Sequence, residues 1–192
     1  MQFRTPLCEI GYKYGTDKCP EINGAYYTPF YYELLKDKRE TFKKVLELGV
    51  GSRVTLQRVP KQYQRGASLR MWRDFFPNAE VYGVDISPTA IFQDERIKTF
   101  LFNTRDKTSM EKLIGIIGAD IDLVIDDGGH RERTQLRSIR NLMPLLKEDV
   151  IYIIEDVTNT ESVKKNLKEY NCQTGLTGPE KNIANLVIVT KK

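Results

Sequence analysis

Short apolar runs alternate with amphipathic stretches along most of this chain. The runs are 44–48, 79–84, 97–102, 121–125, 150–154 and 185–190. Several are apolar at nearly every position, the pattern of strands covered on both faces. Between them, 68–76, 108–117, 131–146 and 160–170 carry helix-compatible spacing. This alternation predicts an α/β fold with a doubly wound, mostly parallel sheet. In such sheets ligands bind beyond the carboxyl ends of the strands.

Two segments fall outside this repeat. Residues 1–40 precede the first strand, are rich in tyrosine, and are read as an N-terminal extension or cap on a main domain of residues 41–192. Residues 53–65 form a polar, basic insert after the first strand, and Pro60 argues against one continuous helix through it. A length of 192 residues with 40% hydrophobic composition suits one domain with a real core. The net charge of +4 is mild, and no Lys/Arg block has the density of a nucleic-acid-binding tail. Three cysteines without CxxC spacing argue against a disulfide framework or a zinc site and for a reducing compartment. Met1-Gln-Phe-Arg4 opens no signal peptide, and the longest apolar runs are strand-length, so the expected location is the cytoplasm, away from membranes.

The chemistry gathers at the strand ends. Val45-Leu-Glu-Leu-Gly-Val-Gly51 is a strand followed at once by glycines, and Gly49 and Gly51 permit a tight turn and close approach to a ligand. The second strand ends in Asp85, where one carboxylate can accept from both hydroxyls of a ribose. Together they suggest an adenosine-type ligand. The third glycine of a dinucleotide fingerprint is missing, as is a P-loop. Glu47 can order the glycine loop or meet a cationic ligand end. Further on, Asp122-Leu-Val-Ile-Asp-Asp-Gly-Gly-His130 ends a strand in two acids and the chain's single histidine, and Val150-Ile-Tyr-Ile-Ile154 ends in Glu155-Asp156. Acid pairs at neighbouring strand ends beside an imidazole suggest a metal site with a base next to it.

Glu47-Leu-Gly-Val-Gly51, Val84-Asp85 and Asp122-Leu-Val-Ile-Asp126, in that order, resemble the class I S-adenosylmethionine-dependent methyltransferases, a Rossmann-like fold. More narrowly, 66–79, Asp126-Asp-Gly-Gly-His130, Ile154-Glu-Asp156 and Lys13-Tyr-Gly-Thr-Asp-Lys18 are similar to the metal-dependent macrolide sugar O-methyltransferases and the related cephalosporin-hydroxylase-like group. The resemblance implies S-adenosylmethionine and Mg²⁺ as cofactors, Asp127, Glu155 and Asp156 as metal ligands, and His130 as the catalytic base. It puts Glu47, Gly49, Gly51 and Asp85 around the cofactor, Ser68 near its carboxylate and Asn103 near its adenine. Asp126 would touch its amino-acid end or shape the turn, and Tyr14, Thr16 and Asp17 would close over it. The chain departs from the family in two ways. The 53–65 insert displaces a usual glycine, and most of the N-terminal substrate-binding and oligomerisation region of longer relatives is missing.

Each element also has a plainer reading. Asp126 and Asp127 can cap a helix near Arg131, and Glu155 and Asp156 one near Thr160. Ser68 can be an ordinary N-cap, Asn103 a turn residue, and Tyr14 and Thr16 part of a packing motif. Taken together, four acids at adjacent strand ends repel unless a cation lies between them, and Arg131 and Arg133 can supply that charge without a metal. The expected activity is Mg²⁺-dependent O-methylation of a hydroxyl on a sugar or a glycosylated or polyhydroxylated small molecule. The alternatives are a nucleic-acid methyltransferase and a non-catalytic S-adenosylmethionine-binding domain. The charge and the basic insert motivate the first, and the missing Asn/Asp-Pro-Pro-Tyr/Phe motif argues against it. Homo-oligomerisation is left open.

Overall fold

A computed structural model describes residues 2–51 and 61–192. Its strands are β1 (Lys44–Leu48), β2 (Glu80–Asp85), β3 (Gln93–Asp94), β4 (Ile97–Leu101), β5 (Leu123–Asp126), β6 (Ile151–Ile154), β7 (Asn171–Thr177) and β8 (Ile183–Thr190). Its α-helices are α1 (Pro6–Tyr14), α2 (Pro20–Asn23), α3 (Tyr27–Leu35), α4 (Ala67–Phe75), α5 (Lys107–Ile117), α6 (Glu132–Leu142) and α7 (Thr160–Asn166). The strands form one sheet in the order β3-β4-β2-β1-β5-β6-β8-β7. β4, β2, β1, β5 and β6 run parallel, as the apolar runs predict, while β8 pairs antiparallel with both β6 and β7.

Alternation along β1 explains the two-sided core. Val45 joins a cluster with Leu7, Tyr31, Trp72 and Phe75, which brings α1, α3 and α4 onto one face. Leu46 and Leu48 join Met110, Leu113, Ile139 and Val163, which brings α5, α6 and α7 onto the other. Glu47 shares the face of Val45, so its carboxylate is aimed into the layer that holds Trp72.

The first 40 residues are helical and pack on the same core. Pro6 sits at the first position of α1, Thr5 caps it by accepting from the Cys8 amide at 3.2 Å, and Gly15 ends it in the left-handed region. Tyr14 donates to Asp74 on α4 at 2.6 Å. α6 stops at Leu142, short of the expected 146, because Pro144 has no amide to continue the ladder and the chain tightens into a 3₁₀ turn, Met143–Leu145. Similarly, α7 ends at Asn166 rather than 170. Among the described residues, no helix is long and apolar enough to cross a membrane.

Register sets the site. Leu48 pairs with Val84 and Asp126, and Asp126 with Ile154, so β1, β2, β5 and β6 finish along one edge. The turn after β1 passes close to the end of β5. A Cβ on Gly49, which has φ +89°, would lie 2.2 Å from the Asp127 carbonyl oxygen. Only glycine fits both that conformation and that approach.

Candidate functional site

A cavity of about 720 Å³ opens at this edge, between the β1 turn, the ends of β2 and β5, and the loop after α1. Its walls include Thr16, Gly49, Gly51, Asp85, Asp127, His130 and Asp156. Asp85 holds the glycine turn itself: one carboxylate oxygen accepts from the amides of Val50 at 3.0 Å and Gly51 at 3.1 Å, the other from Ser87 at 2.7 Å. The first turn of α4, with Ala67 and Ser68, also faces the cavity. Glu47 lies behind this wall. It is buried, and its oxygens accept from the Ser68 hydroxyl at 2.6 Å and the Trp72 indole at 2.7 Å. Burial pushes its pKa up to about 7, against the pull of Lys18.

Asn103 and Tyr14 do not line either cavity described here. Asn103 accepts from Arg105 in a turn, at 3.1 Å from the amide. The Tyr14 hydroxyl is taken up by Asp74 and Arg73. Of the basic insert, Arg53 and Arg58 lie outside the described residues, while the Arg65 guanidinium lies over the Phe92 ring.

The two acid pairs share a layout. In each, the first acid turns into the protein and the second faces the cavity. Asp126 is buried, accepts from the Tyr152 hydroxyl at 2.7 Å and from the Gly128 amide at 3.3 Å, and is pushed by burial up to about 7. Glu155 is buried too. It accepts from Tyr31 at 2.5 Å and from the Lys18 ammonium at 2.5 Å, and burial raises its pKa well above the usual carboxylate range.

The outward acids meet the histidine. His130 Nδ1 is 2.9 Å from Asp156 Oδ2, and Tyr27 donates to the other oxygen of Asp156. The bond to Asp156 raises the pKa of His130, and the same bond lowers that of Asp156. Asp156 sits at φ +52°, a left-handed conformation that aspartate adopts more readily than most residues. Asp127, His130 and Asp156 each offer a ligand atom within 4.8 Å of the others. Two carboxylates that line the cavity side by side fit a hard divalent cation such as Mg²⁺, which prefers oxygen ligands. Glu155 stands apart from this trio: it is buried, and its oxygens accept from the Lys18 ammonium and the Tyr31 hydroxyl.

Lys18 is the residue that strand-end reasoning passed over. It is 2% exposed, yet its ammonium lies 2.6 Å from Asp127, 2.5 Å from Glu155 and 3.9 Å from Glu47. Burial pulls its pKa down, but the three acids outweigh burial and hold it well above the ordinary lysine value. The cation that the clustered acids demand thus comes from the N-terminal segment, not from Arg131 or Arg133. The one available signal was Lys18 at the end of the quoted Lys13-Tyr-Gly-Thr-Asp-Lys18 segment. A smaller cavity of about 220 Å³ lies beyond the same acids. It shares Asp17, Asp127 and Asp156 with the larger one and adds Tyr26, Tyr27, Thr177 and Asn185.

Known proteins resemble the chain in both sequence and fold. The chain is 32% identical over 151 residues to mycinamicin VI 2''-O-methyltransferase of Micromonospora griseorubida, a match covering 79% of this chain and 36% of that protein. It is 31% identical over 155 residues to demethylmacrocin O-methyltransferase of Streptomyces fradiae, covering 79% and 36%. Over these residues the chain is similar to macrolide sugar O-methyltransferases. It spans a little over a third of the length of these relatives. No family model matches it. A structure of MycE methyltransferase from the mycinamycin biosynthetic pathway, in complex with Mg and SAH, superposes with a TM-score of 0.73 at 25% identity, covering 97% of this chain and 53% of that one. The sugar N-methyltransferase KedS8 from Streptoalloteichus sp. superposes at 0.58 with 12% identity, covering 85% and 86%. The chain therefore has the Rossmann-like class I methyltransferase fold.

Proposed function

We propose that this chain is an S-adenosylmethionine-dependent O-methyltransferase whose acceptor is a hydroxyl on a sugar or glycosylated small molecule. One observation carries the reading: a single cavity is lined both by the glycine turn with Asp85 and by Asp127, His130 and Asp156. The first group would hold the cofactor, with Asp85 for its ribose and the first turn of α4 for its amino-acid end. Residues 1–40 act as a cap through Thr16 and Asp17, which line that cavity. The acceptor enters from the smaller cavity, where tyrosine rings, Thr177 and Asn185 suit the mixed faces of a sugar ring. Relatives named for methylation of macrolide-linked and rhamnosyl sugars support this choice.

Asp127 and Asp156 would hold Mg²⁺, with Glu155 in reserve behind Lys18. When bound, the ion supplies positive charge that makes a neighbouring hydroxyl more acidic. His130 presents Nδ1 to Asp156, which leaves Nε2 to take the proton. The cofactor would supply the methyl group from its sulfonium, and His130 Nε2 would accept the proton that the acceptor hydroxyl gives up as its oxygen takes that group. Asp156 keeps the ring oriented and steadies its charged form. The three unpaired cysteines support a reducing compartment, which we take to be the cytoplasm.

The test is methyl transfer to a panel of glycosylated macrolides, with S-adenosylhomocysteine binding followed by calorimetry. Transfer that collapses in EDTA and returns with Mg²⁺ is the expected result. Cofactor binding without transfer to any acceptor would instead make the chain a binding domain, and full activity in chelator would remove the metal.

A further inference from the structure

Lys18 has a place in the acid cluster that the methyltransferase reading leaves unused. It sits in the loop between α1 and α2, next to Asp17, and its ammonium bridges acids at the ends of two different strands. Nothing in the cofactor's chemistry calls for a cation at this depth. A buried ammonium is retained only where carboxylates compensate its lost hydration, and here Asp127 and Glu155 do so at hydrogen-bond distance.

We propose that Lys18 is a resident counter-cation that competes with the divalent ion for the acid cluster. The inference rests on the metal-binding part of the proposed function. Asp127 is the shared element: it belongs to the Asp127–His130–Asp156 group and is also bonded to the ammonium. Glu155 is available to an ion only if the ammonium withdraws, since Lys18 and Tyr31 occupy its two oxygens. An ion drawing on Asp127 therefore meets a like charge a few ångströms away, and one drawing on Glu155 must displace it. Lys18 keeps the cluster folded while the ion is away and weakens the ion's grip when it arrives.

The geometry also predicts what the neutral side chain does. Methionine nearly matches the lysine stem in volume and removes the charge together with the N–H donors that carry it. In Lys18→Met the acids face each other without compensation, and an arriving ion has no rival.

The experiment measures Mn²⁺ binding to the full chain by electron paramagnetic resonance of the free ion, together with thermal unfolding in EDTA and in Mn²⁺. Lys18→Met is expected to bind Mn²⁺ at least about tenfold more tightly than the unaltered chain, and Lys18→Arg within about threefold of it. In EDTA the melting temperature of Lys18→Met should fall by about 10 °C, with most of the loss regained in Mn²⁺. Lys18→Gln, whose amide still donates to the acids, is the second neutral variant should the methionine chain fail to fold, and it should tighten binding in the same sense. Equal or weaker Mn²⁺ binding in the neutral variants overturns the proposal. So does failure of the unaltered chain and all variants to bind Mn²⁺, a result that would leave S-adenosylhomocysteine binding intact. Loss of S-adenosylhomocysteine binding with Mn²⁺ tightening preserved would instead sink the methyltransferase reading and leave the role of Lys18 standing.

Discussion

The acid pair after β5 and the pair after β6 look alike in sequence and are neutralised differently. Asp126, the inward member of the first, is satisfied locally by a tyrosine on the adjacent strand and an amide two residues on. Glu155, the inward member of the second, depends on Lys18 and Tyr31, both from the first 40 residues. The first pair is completed by the sheet. The second is completed by the N-terminal segment. Only the outward members, Asp127 and Asp156, open onto the cavity with His130. Position within a strand-end pair, more than residue type, decides whether an acid faces the cavity or is taken up inside the fold.

Four measurements would break or sharpen that contrast. The largest effect should fall on the outward side: His130→Ala should lower kcat by about 10²–10⁴ while leaving S-adenosylhomocysteine affinity and folding unchanged. Next is Glu155→Ala, which takes from a buried ammonium one of its two hydrogen-bonded acids and should cost about 3 kcal/mol in urea unfolding; a loss under 1 kcal/mol would mean that the N-terminal segment does not complete the second pair. The pH profile follows. His130 must lose its proton to act as a base, and its bond to Asp156 raises its pKa from the ordinary 6.5, so activity should fall away as pH drops through a value above 6.5. In Asp156→Asn that limb should move to lower pH by up to about one unit. Smallest is Asp126→Asn, expected to cost about 1 kcal/mol, because the amide keeps most of the local hydrogen bonding. If it proved as costly as Glu155→Ala, the two inward acids would be equivalent and the contrast would fail.

Much of this arrangement was legible in the sequence. β1 and the parallel strands were readable because strands buried on both faces are apolar throughout, and Gly49, Asp85 and the acid pairs mark their carboxyl ends. β7 was not, because Asn171-Cys-Gln-Thr-Gly-Leu-Thr177 is polar and interrupted by Gly175, as an edge strand with an irregular register can be. The helices of residues 1–40 were hidden by their tyrosines. These give no clean amphipathic stripe, since Tyr27 and Tyr31 pack their rings inward while their hydroxyls reach the acids. Lys18 was hidden for a deeper reason. A lysine reads as surface in any window of sequence, and its burial is decided by residues more than a hundred positions away.

That separation has a consequence for how the molecule is made. Lys18 lies 109 residues from Asp127 and 137 from Glu155. Contacts of such span close late, since the chain between them must be ordered first. The parallel sheet therefore assembles with the carboxylates at its edge still unneutralised and mutually repelling. The lysine that settles them is synthesised before either acid and is among the last residues to find its place.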